Sequence, residues 1–263
     1  MCYIAVMAVS LSVIASLYIL MPECENCGRK FCFGSCTITY ENSGQDPQSL
    51  RPNQPKTNQT TTRLTETERV DAESYFDDVY FIGDSRTRAL QLYGVPLDHI
   101  FAEDGLNHER ALTAECVRMS EQKLMTIPDA VSVTIPKIMI INFGINGAYF
   151  WSVEDFMEKY AVLIDALLEK SPNSIVVIEA ILPVSLGYEY SDEGVSNAKI
   201  DELNMALYQY AQENGFYYLA TNEVLKDENN ALKDEYTGDG LHLNDLGYEK
   251  VLDYILTHAI LTE

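Results

Sequence analysis

The sequence predicts an α/β fold, a three-layer α/β/α sandwich with a mostly parallel central sheet, preceded by an N-terminal apolar helix and a disordered linker. Short apolar runs alternate with helix-length amphipathic stretches from about residue 76 onward. The runs are apolar throughout, which is typical of strands covered on both faces. A third observation separates the N-terminal part: residues 1–69 carry six basic and six acidic side chains, whereas residues 70–263 carry twelve and thirty-four.

Composition narrows the class of protein. Hydrophobic residues make up 47% of the 263 residues, which is enough for a sizeable core and excludes wholesale disorder. The formal net charge is −22. A chain this acidic is repelled by phosphate backbones and anionic lipid surfaces, so we expect no nucleic-acid partner.

Residues 1–22 are predicted to be a transmembrane anchor or a signal segment. The run from Tyr3 to Met21 has no charged side chain and is long enough to cross the hydrocarbon core of a bilayer. An uncleaved anchor is favoured over a cleaved signal peptide, because no basic region precedes the run and the cleavage site at Val13-Ile14-Ala15 is weak. We therefore expect membrane attachment through this segment.

Two further segments are predicted before the folded domain. Residues 23–36 form a Cys-rich juxtamembrane segment, and residues 37–70 form a polar linker too poor in large apolar side chains to fold. An exposed linker favours an extracytoplasmic domain, although the basic pair Arg29-Lys30 argues for the opposite orientation. The clustered cysteines would form disulfides outside the cell, and zinc ligands or free thiols inside it. They are Cys24, Cys27, Cys32 and Cys36.

The domain is expected to span residues 71–263, with each apolar run a strand and each amphipathic stretch a helix. Strands are predicted at 79–82, 99–102, 138–141, 174–178 and 216–219, and helices at 108–125, 153–170, 195–213 and from the N-cap Asn244 onward. Cys116 lies within the first of these helices and is expected to be an inert core residue.

Polar and glycine residues collect where the predicted strands end, which is where open α/β sheets form their sites. Ser85 follows the first strand, Gly105 the second and Asn146 the third, while Asp239 and His242 share a glycine-flanked loop. Each signal is weak alone, since a serine after a strand is most often a helix N-cap and a lone histidine is usually structural. Together they supply what acyl transfer needs: a nucleophile, a base, a group that orients the base, and donors for an oxyanion.

These positions carry a resemblance to a known group of enzymes. Gly83-Asp84-Ser85, Gly105, Gly144-x-Asn146 and Asp239-x-x-His242 occur in the order and spacing of the SGNH, or GDSL, hydrolase superfamily, over about residues 76–262. The resemblance implies a flavodoxin-like α/β/α fold and a Ser85–His242–Asp239 triad. It also implies an oxyanion hole made of the Ser85 N–H, the Gly105 N–H and the Asn146 side chain.

The chain departs from the superfamily pattern at two positions. Gly147 stands where the third block commonly has Asp, and Arg86 stands where the first commonly continues toward Leu. The aromatic residues of 149–151 then either line a substrate cleft or pack the following helix. Arg86 and Arg88 beside Ser85 leave open whether the cleft attracts anions despite the acidic surface.

The sequence therefore predicts a serine esterase that cleaves short-chain or acetyl O-acyl esters. Its partner would be a small ester or an acylated carbohydrate, with cell-surface carbohydrate or peptidoglycan inferred from the expected location. The catalytic set requires no metal ion and no organic cofactor. Alternatives are an O-acyltransferase with the same triad, a non-catalytic binding domain on the same scaffold, and a phosphate-binding loop at residues 83–87. The sequence does not predict an oligomeric state.

Overall fold

A computed structural model describes residues 62–120, 123–191 and 194–261. The predicted segments 1–22 and 23–36, with all four of their cysteines, lie outside these ranges, as does the linker up to residue 61. Among the helices that the structure does describe, none combines the length and the apolar character needed to span a bilayer.

A five-stranded parallel sheet forms the centre of the described domain. The described strands are β1 (Val79–Gly83), β2 (Ile100–Ala102), β3 (Val117–Ser120), β4 (Lys123–Met125), β5 (Ile138–Asn142), β6 (Ile175–Glu179) and β7 (Tyr217–Leu219). Every residue of β5 and β6 is buried, so both faces of the sheet are covered. The five predicted strands are confirmed, and their continuous apolar runs match the burial of this sheet on both sides.

Helices cover the two faces of this sheet. They are α1 (Ala72–Phe76), α2 (Ser85–Arg88), α3 (Ile127–Thr134), α4 (Ile145–Ala148), α5 (Val153–Lys170), α6 (Leu186–Glu189), α7 (Asn197–Asn214) and α8 (Asp245–Thr257). The chain steps from β1 outward to β2, then returns past β1 to β5 and continues to β6 and β7. Right-handed crossovers then place α2 on one face and α3, α5 and α7 on the other. The predicted α/β/α sandwich is confirmed.

Local signals in the sequence account for where the long helices begin. Ser152 caps α5 by accepting the Asp155 N–H at 3.1 Å, and Asn244 caps α8 by accepting the Gly247 N–H at 3.1 Å. The predicted helix over 153–170 is observed with these bounds, and the one over 195–213 is displaced by one or two residues. The predicted N-cap Asn244 is confirmed.

The predicted helix over 108–125 is wrong. The chain instead forms a 3-10 turn at Arg110–Leu112 and then an antiparallel hairpin of β3 and β4. Val117 is buried and Arg118 exposed, the two-residue period of a strand, and packing of that face overrides a moderate helix propensity. Cys116 lies at the start of this hairpin rather than in a helix, and it is partly buried at the edge of the core rather than inside it. Burial raises the pKa of its thiol to about 11.

The end of the predicted linker is attached to the domain. The Tyr218 N–H donates to the Thr62 carbonyl and the Leu64 N–H donates to the Tyr218 carbonyl, both at 2.9 Å, so this segment runs parallel to β7. Further along, the Val70 N–H donates to the Leu256 carbonyl at 3.0 Å. The linker prediction is therefore wrong for residues 62–70, because backbone pairing orders a segment that has few apolar side chains of its own.

Candidate active site

Ser85 stands at a sharp turn between β1 and α2, at the carboxyl end of the sheet. Asp84, not Ser85, is the N-cap of the helix: its Oδ1 accepts the Arg86 N–H at 3.0 Å. The turn is tight enough that a Cβ on Gly83 would lie 2.0 Å from Thr87 Oγ1. The Ser85 side chain is therefore not used in capping, and its hydroxyl is partly exposed.

Ser85, His242 and Asp239 are linked by hydrogen bonds in that order. The Ser85 Oγ lies 3.1 Å from His242 Nε2, and His242 Nδ1 lies 2.7 Å from Asp239 Oδ2. Because an ionised carboxylate only accepts, Nδ1 carries the ring proton and Nε2 is the acceptor for the Ser85 hydroxyl. The structure thus brings Ser85 next to the Asp239–His242 pair, although 157 positions separate Ser85 from His242 in the sequence.

The loop that carries His242 is held by its own side chains. Asp239 Oδ1 accepts the N–H groups of Leu241 and His242 at 2.8 and 2.7 Å. Burial acts to raise the pKa of Asp239, but the hydrogen bonds from His242 and from these two N–H groups lower it to about 2. Thr237 Oγ1 donates to the His242 carbonyl at 2.7 Å and accepts the Gly240 N–H at 2.8 Å. Asp239 therefore stays ionised beside the imidazole over the whole neutral range.

Asn146 lies between the serine turn and the loop after β2. Its Nδ2 donates to Asp84 Oδ2 at 3.1 Å and to the Leu106 carbonyl at 3.0 Å, and two acceptors on one atom identify that atom as the nitrogen. Gly105 precedes Leu106, with a left-handed φ of 69° and open space where a Cβ would project. The predicted Gly105 and Asn146 are thus adjacent, but both amide protons of Asn146 are engaged inside the protein.

Arg86 is a structural residue of the site that the sequence did not identify. Its guanidinium donates to the carbonyls of Leu241, Leu182 and Pro183 at 3.0, 2.7 and 3.2 Å, and only 3% of the residue is exposed. It therefore ties the serine turn to the histidine loop and does not present its charge to the cleft. An arginine directly after a nucleophile carries no sequence signal of such burial.

Arg88 has the opposite environment. It is exposed and pairs with Asp104 at the surface. The question that the sequence left open is thereby answered: Arg86 and Arg88 do not form a basic cleft, because Arg86 is turned inward and Arg88 is paired with a carboxylate.

Two buried carboxylates lie at the ends of β1 and β6. Burial raises the pKa of Asp84 to about 6 and that of Glu179 to about 7, and the charge of Asp84 contributes to the rise at Glu179. Thr221 Oγ1 donates to Glu179 Oε1 at 2.5 Å.

Within residues 62–120, 123–191 and 194–261, no three His, Cys, Asp or Glu side chains are grouped closely enough to hold a metal ion.

The aromatic segment after α4 divides into two parts. Trp151 packs edge-on against the buried His108, with ring centroids 4.7 Å apart, and a Cβ on Gly147 would lie 2.4 Å from the Trp151 ring. Tyr149 and Phe150 instead point to solvent, with 58% and 75% of each residue exposed. Trp151 thus packs against the neighbouring core and leaves room only for a glycine at 147. The rings of Tyr149 and Phe150 do not pack against the core.

Comparison with known proteins agrees with this fold. A profile of the GDSL-like lipase/acylhydrolase family matches residues 81–250. A Streptococcus pneumonia structure, proposed to be a platelet activating factor, is 22% identical with a TM-score of 0.55, covering 68% of this chain and 81% of its own. A GDSL-like lipase from Bacteroides thetaiotaomicron is 18% identical with a TM-score of 0.50, covering 72% and 89%.

A proposed acylhydrolase from Bacteroides fragilis is 19% identical with a TM-score of 0.51, covering 79% of this chain and 89% of its own. No curated protein sequence is significantly similar to the chain. At these identities the solved structures support the α/β fold alone, whereas the family profile spans well over half of the chain. The chain belongs to the GDSL-like lipase/acylhydrolase family and is a serine ester hydrolase.

Proposed function

We propose that Ser85, His242 and Asp239 form the catalytic triad of an esterase that releases short acyl groups from carbohydrate esters. The observation that carries the triad assignment is the unbroken hydrogen-bond series from the Ser85 hydroxyl through the imidazole to the Asp239 carboxylate, at 3.1 and 2.7 Å. Both distances lie within the range required of a nucleophile, its base and the group that orients the base.

The reaction follows from this geometry in two steps. Ser85 Oγ bonds to the ester carbonyl carbon while its proton passes to His242 Nε2, and Asp239 stabilises the resulting imidazolium. The carbon–oxygen bond to the alcohol then breaks, and His242 returns the proton to the leaving alkoxide. Water repeats the sequence on the acyl-enzyme: His242 takes its proton, the hydroxide oxygen bonds to the carbonyl carbon, and Ser85 leaves with the proton restored.

The negative charge on the carbonyl oxygen is stabilised by donors from three separate segments of the chain. The N–H groups of Ser85 and Gly105 are assigned this role together with the Asn146 side chain. Asn146 must release one of its two present acceptors to do so. The neutral Leu106 carbonyl is the weaker competitor, because a charged oxyanion and the Asp84 carboxylate both accept stronger hydrogen bonds.

Neutral substrates are favoured by the charge of the molecule. Residues 70–263 carry a large excess of acidic side chains, and the arginine beside the nucleophile is buried. An acylated neutral carbohydrate is not repelled by these acidic side chains, and it does not require a basic subsite for binding. Anchoring through the N-terminal apolar segment would place the enzyme at the cell surface, where acetylated polysaccharides occur.

Labelling with a fluorophosphonate probe tests the nucleophile. We expect one adduct, on the peptide that contains Ser85, and none in Ser85→Ala, while Ser132→Ala at an exposed helical serine is labelled like the wild type. Ser85→Ala should also reduce release of acetate from ethyl acetate to the uncatalysed rate. Labelling elsewhere, or wild-type turnover in Ser85→Ala, contradicts the assignment.

Acetate release from acetylated polysaccharide, measured with and without an added carbohydrate acceptor, tests the substrate and the acyl acceptor. Free acetate as the product in both conditions is expected of a hydrolase. Acetylated acceptor as the main product would identify the O-acyltransferase alternative, which has the same triad.

A further inference from the structure

The helix that carries Asn146 is followed at once by two aromatic rings, those of Tyr149 and Phe150, which no residue described by the structure covers. Asn146, Tyr149 and Phe150 occupy positions i, i+3 and i+4 of one helical turn, which Tyr149 continues with a φ of −71°. Residues at this spacing share a face of the helix, with their Cβ atoms about 5–6 Å apart. A ligand whose carbonyl oxygen reaches the Asn146 amide therefore passes next to these rings.

The two rings are held in place although they face solvent. They contact each other edge to face, with centroids 5.1 Å apart at an interplanar angle of 80°. The N–H groups of Phe150 and Trp151 both donate to the Gly147 carbonyl, at 3.1 and 3.2 Å, and the Trp151 ring is packed on His108. At the other end, the two hydrogen bonds of Asn146 fix the start of the turn.

Adjacent exposed aromatic rings beside the amide assigned to the oxyanion form a candidate binding surface. From this juxtaposition we infer that Tyr149 and Phe150 form a stacking platform for the sugar ring on the alcohol side of the ester. The inference rests on the proposed function, because it requires that the ester binds at Ser85 with its carbonyl oxygen at Asn146.

A sugar fits this platform better than a long acyl chain does. A pyranose places its C–H face on an aromatic ring while its hydroxyl groups stay hydrated, and it spans about one helical turn of 5.4 Å. An alkyl chain gains about 0.8 kcal/mol per methylene only where it is fully enclosed. Rings that are 58% and 75% exposed at rest offer an open surface rather than an enclosing groove.

The kinetic test compares two esters that share one acyl group. Glucose pentaacetate and ethyl acetate both yield acetate, but only the first has a ring on the alcohol side. In Tyr149→Ala/Phe150→Ala we expect kcat/KM for glucose pentaacetate to fall about tenfold or more, with kcat/KM for ethyl acetate within about twofold of wild type. Tyr149→Phe, which keeps the ring, should retain wild-type discrimination, and so should Met205→Ala, which truncates a side chain 73% exposed on α7.

Equal losses on both acetates, or no loss on the sugar ester, would overturn the platform. A loss confined to ethyl octanoate would overturn it in favour of an acyl-chain site. If the wild type shows no Ser85-dependent hydrolysis of any ester, the proposed function fails instead.

A binding measurement decides the platform without turnover. Trp151 is the only tryptophan among the 263 residues and adjoins Phe150, so its fluorescence reports on this segment. Titrating Ser85→Ala protein with glucose pentaacetate should give a saturable change. That change should be lost when Tyr149→Ala/Phe150→Ala is added to the same background, and its persistence would contradict the platform.

Discussion

The substitution Asp239→Asn should remove most of the activity while leaving the fold intact. In the wild type, Asp239 Oδ2 accepts the His242 Nδ1 proton at 2.7 Å, which leaves Nε2 free to accept the proton of Ser85. An asparagine amide in the same place presents a donor to Nδ1. The imidazole then adopts the other tautomer, whose Nε2 proton faces the Ser85 hydroxyl and cannot accept from it.

The amide cannot escape this outcome by rotating. Oδ1 accepts the N–H groups of Leu241 and His242 at 2.8 and 2.7 Å, so a rotated asparagine would aim its NH₂ at two backbone donors. Losing both bonds costs about 1–3 kcal/mol and leaves those groups unpaired. The backbone of the loop therefore disfavours the correct tautomer by this amount, and the neutral amide also no longer stabilises the imidazolium. We expect the two effects together to lower kcat about 10⁴-fold, which corresponds to about 5.5 kcal/mol in the activation barrier.

The assay is acetate release from ethyl acetate at pH 7.5, with Ser85→Ala setting the background and thermal unfolding verifying the fold. Because the Asp239 side chain is 56% exposed, a small change of melting temperature is expected. Asp239→Asn that retains more than about a tenth of the wild-type kcat would refute the tautomer argument and the orienting role of Asp239.

Three further substitutions, with Arg88→Met as a control for one of them, test other contacts of the site. Asn146→Ala should lower kcat by about 10²–10³ through loss of an oxyanion donor, and a rate within about threefold of wild type would exclude that role. Arg86→Met should lower the free energy of unfolding by about 3–5 kcal/mol in urea, because three buried carbonyls lose their donor, whereas Arg88→Met at the surface should change it by less than about 1 kcal/mol. Similar effects of the two arginine substitutions would contradict the inward placement of Arg86. Burial raises the pKa of Glu179 to about 7, so the folded state binds an extra proton between about pH 4.5 and 7, and stability declines as pH rises through that window. Glu179→Gln should therefore gain stability relative to wild type between pH 5 and pH 8 in urea unfolding, and an equal difference at both pH values would contradict the buried carboxyl.

The strands were predictable because burial on both faces of the sheet requires an uninterrupted apolar run in the local sequence. Residues 138–141 are apolar without interruption, and all of them are buried in β5. The helix predicted over 108–125 does not form, because intrinsic helix propensity is only a weak preference. The contacts that select a hairpin there come from other parts of the chain. The ordered structure of residues 62–64 could not be predicted for the same reason, because their hydrogen-bond partner Tyr218 lies far along the chain.

By itself the sequence determined which chemical groups the site contains, because strand ends, glycine turns and the spacing of Ser85, Asn146, Asp239 and His242 are local properties. Only the tertiary structure decided how those groups are used. It turned Arg86 inward onto carbonyls from 182–183 and 241, engaged both protons of Asn146, and separated Trp151 from the exposed rings before it. The physical reason is that burial and hydrogen bonding depend on segments that meet only when the sheet assembles.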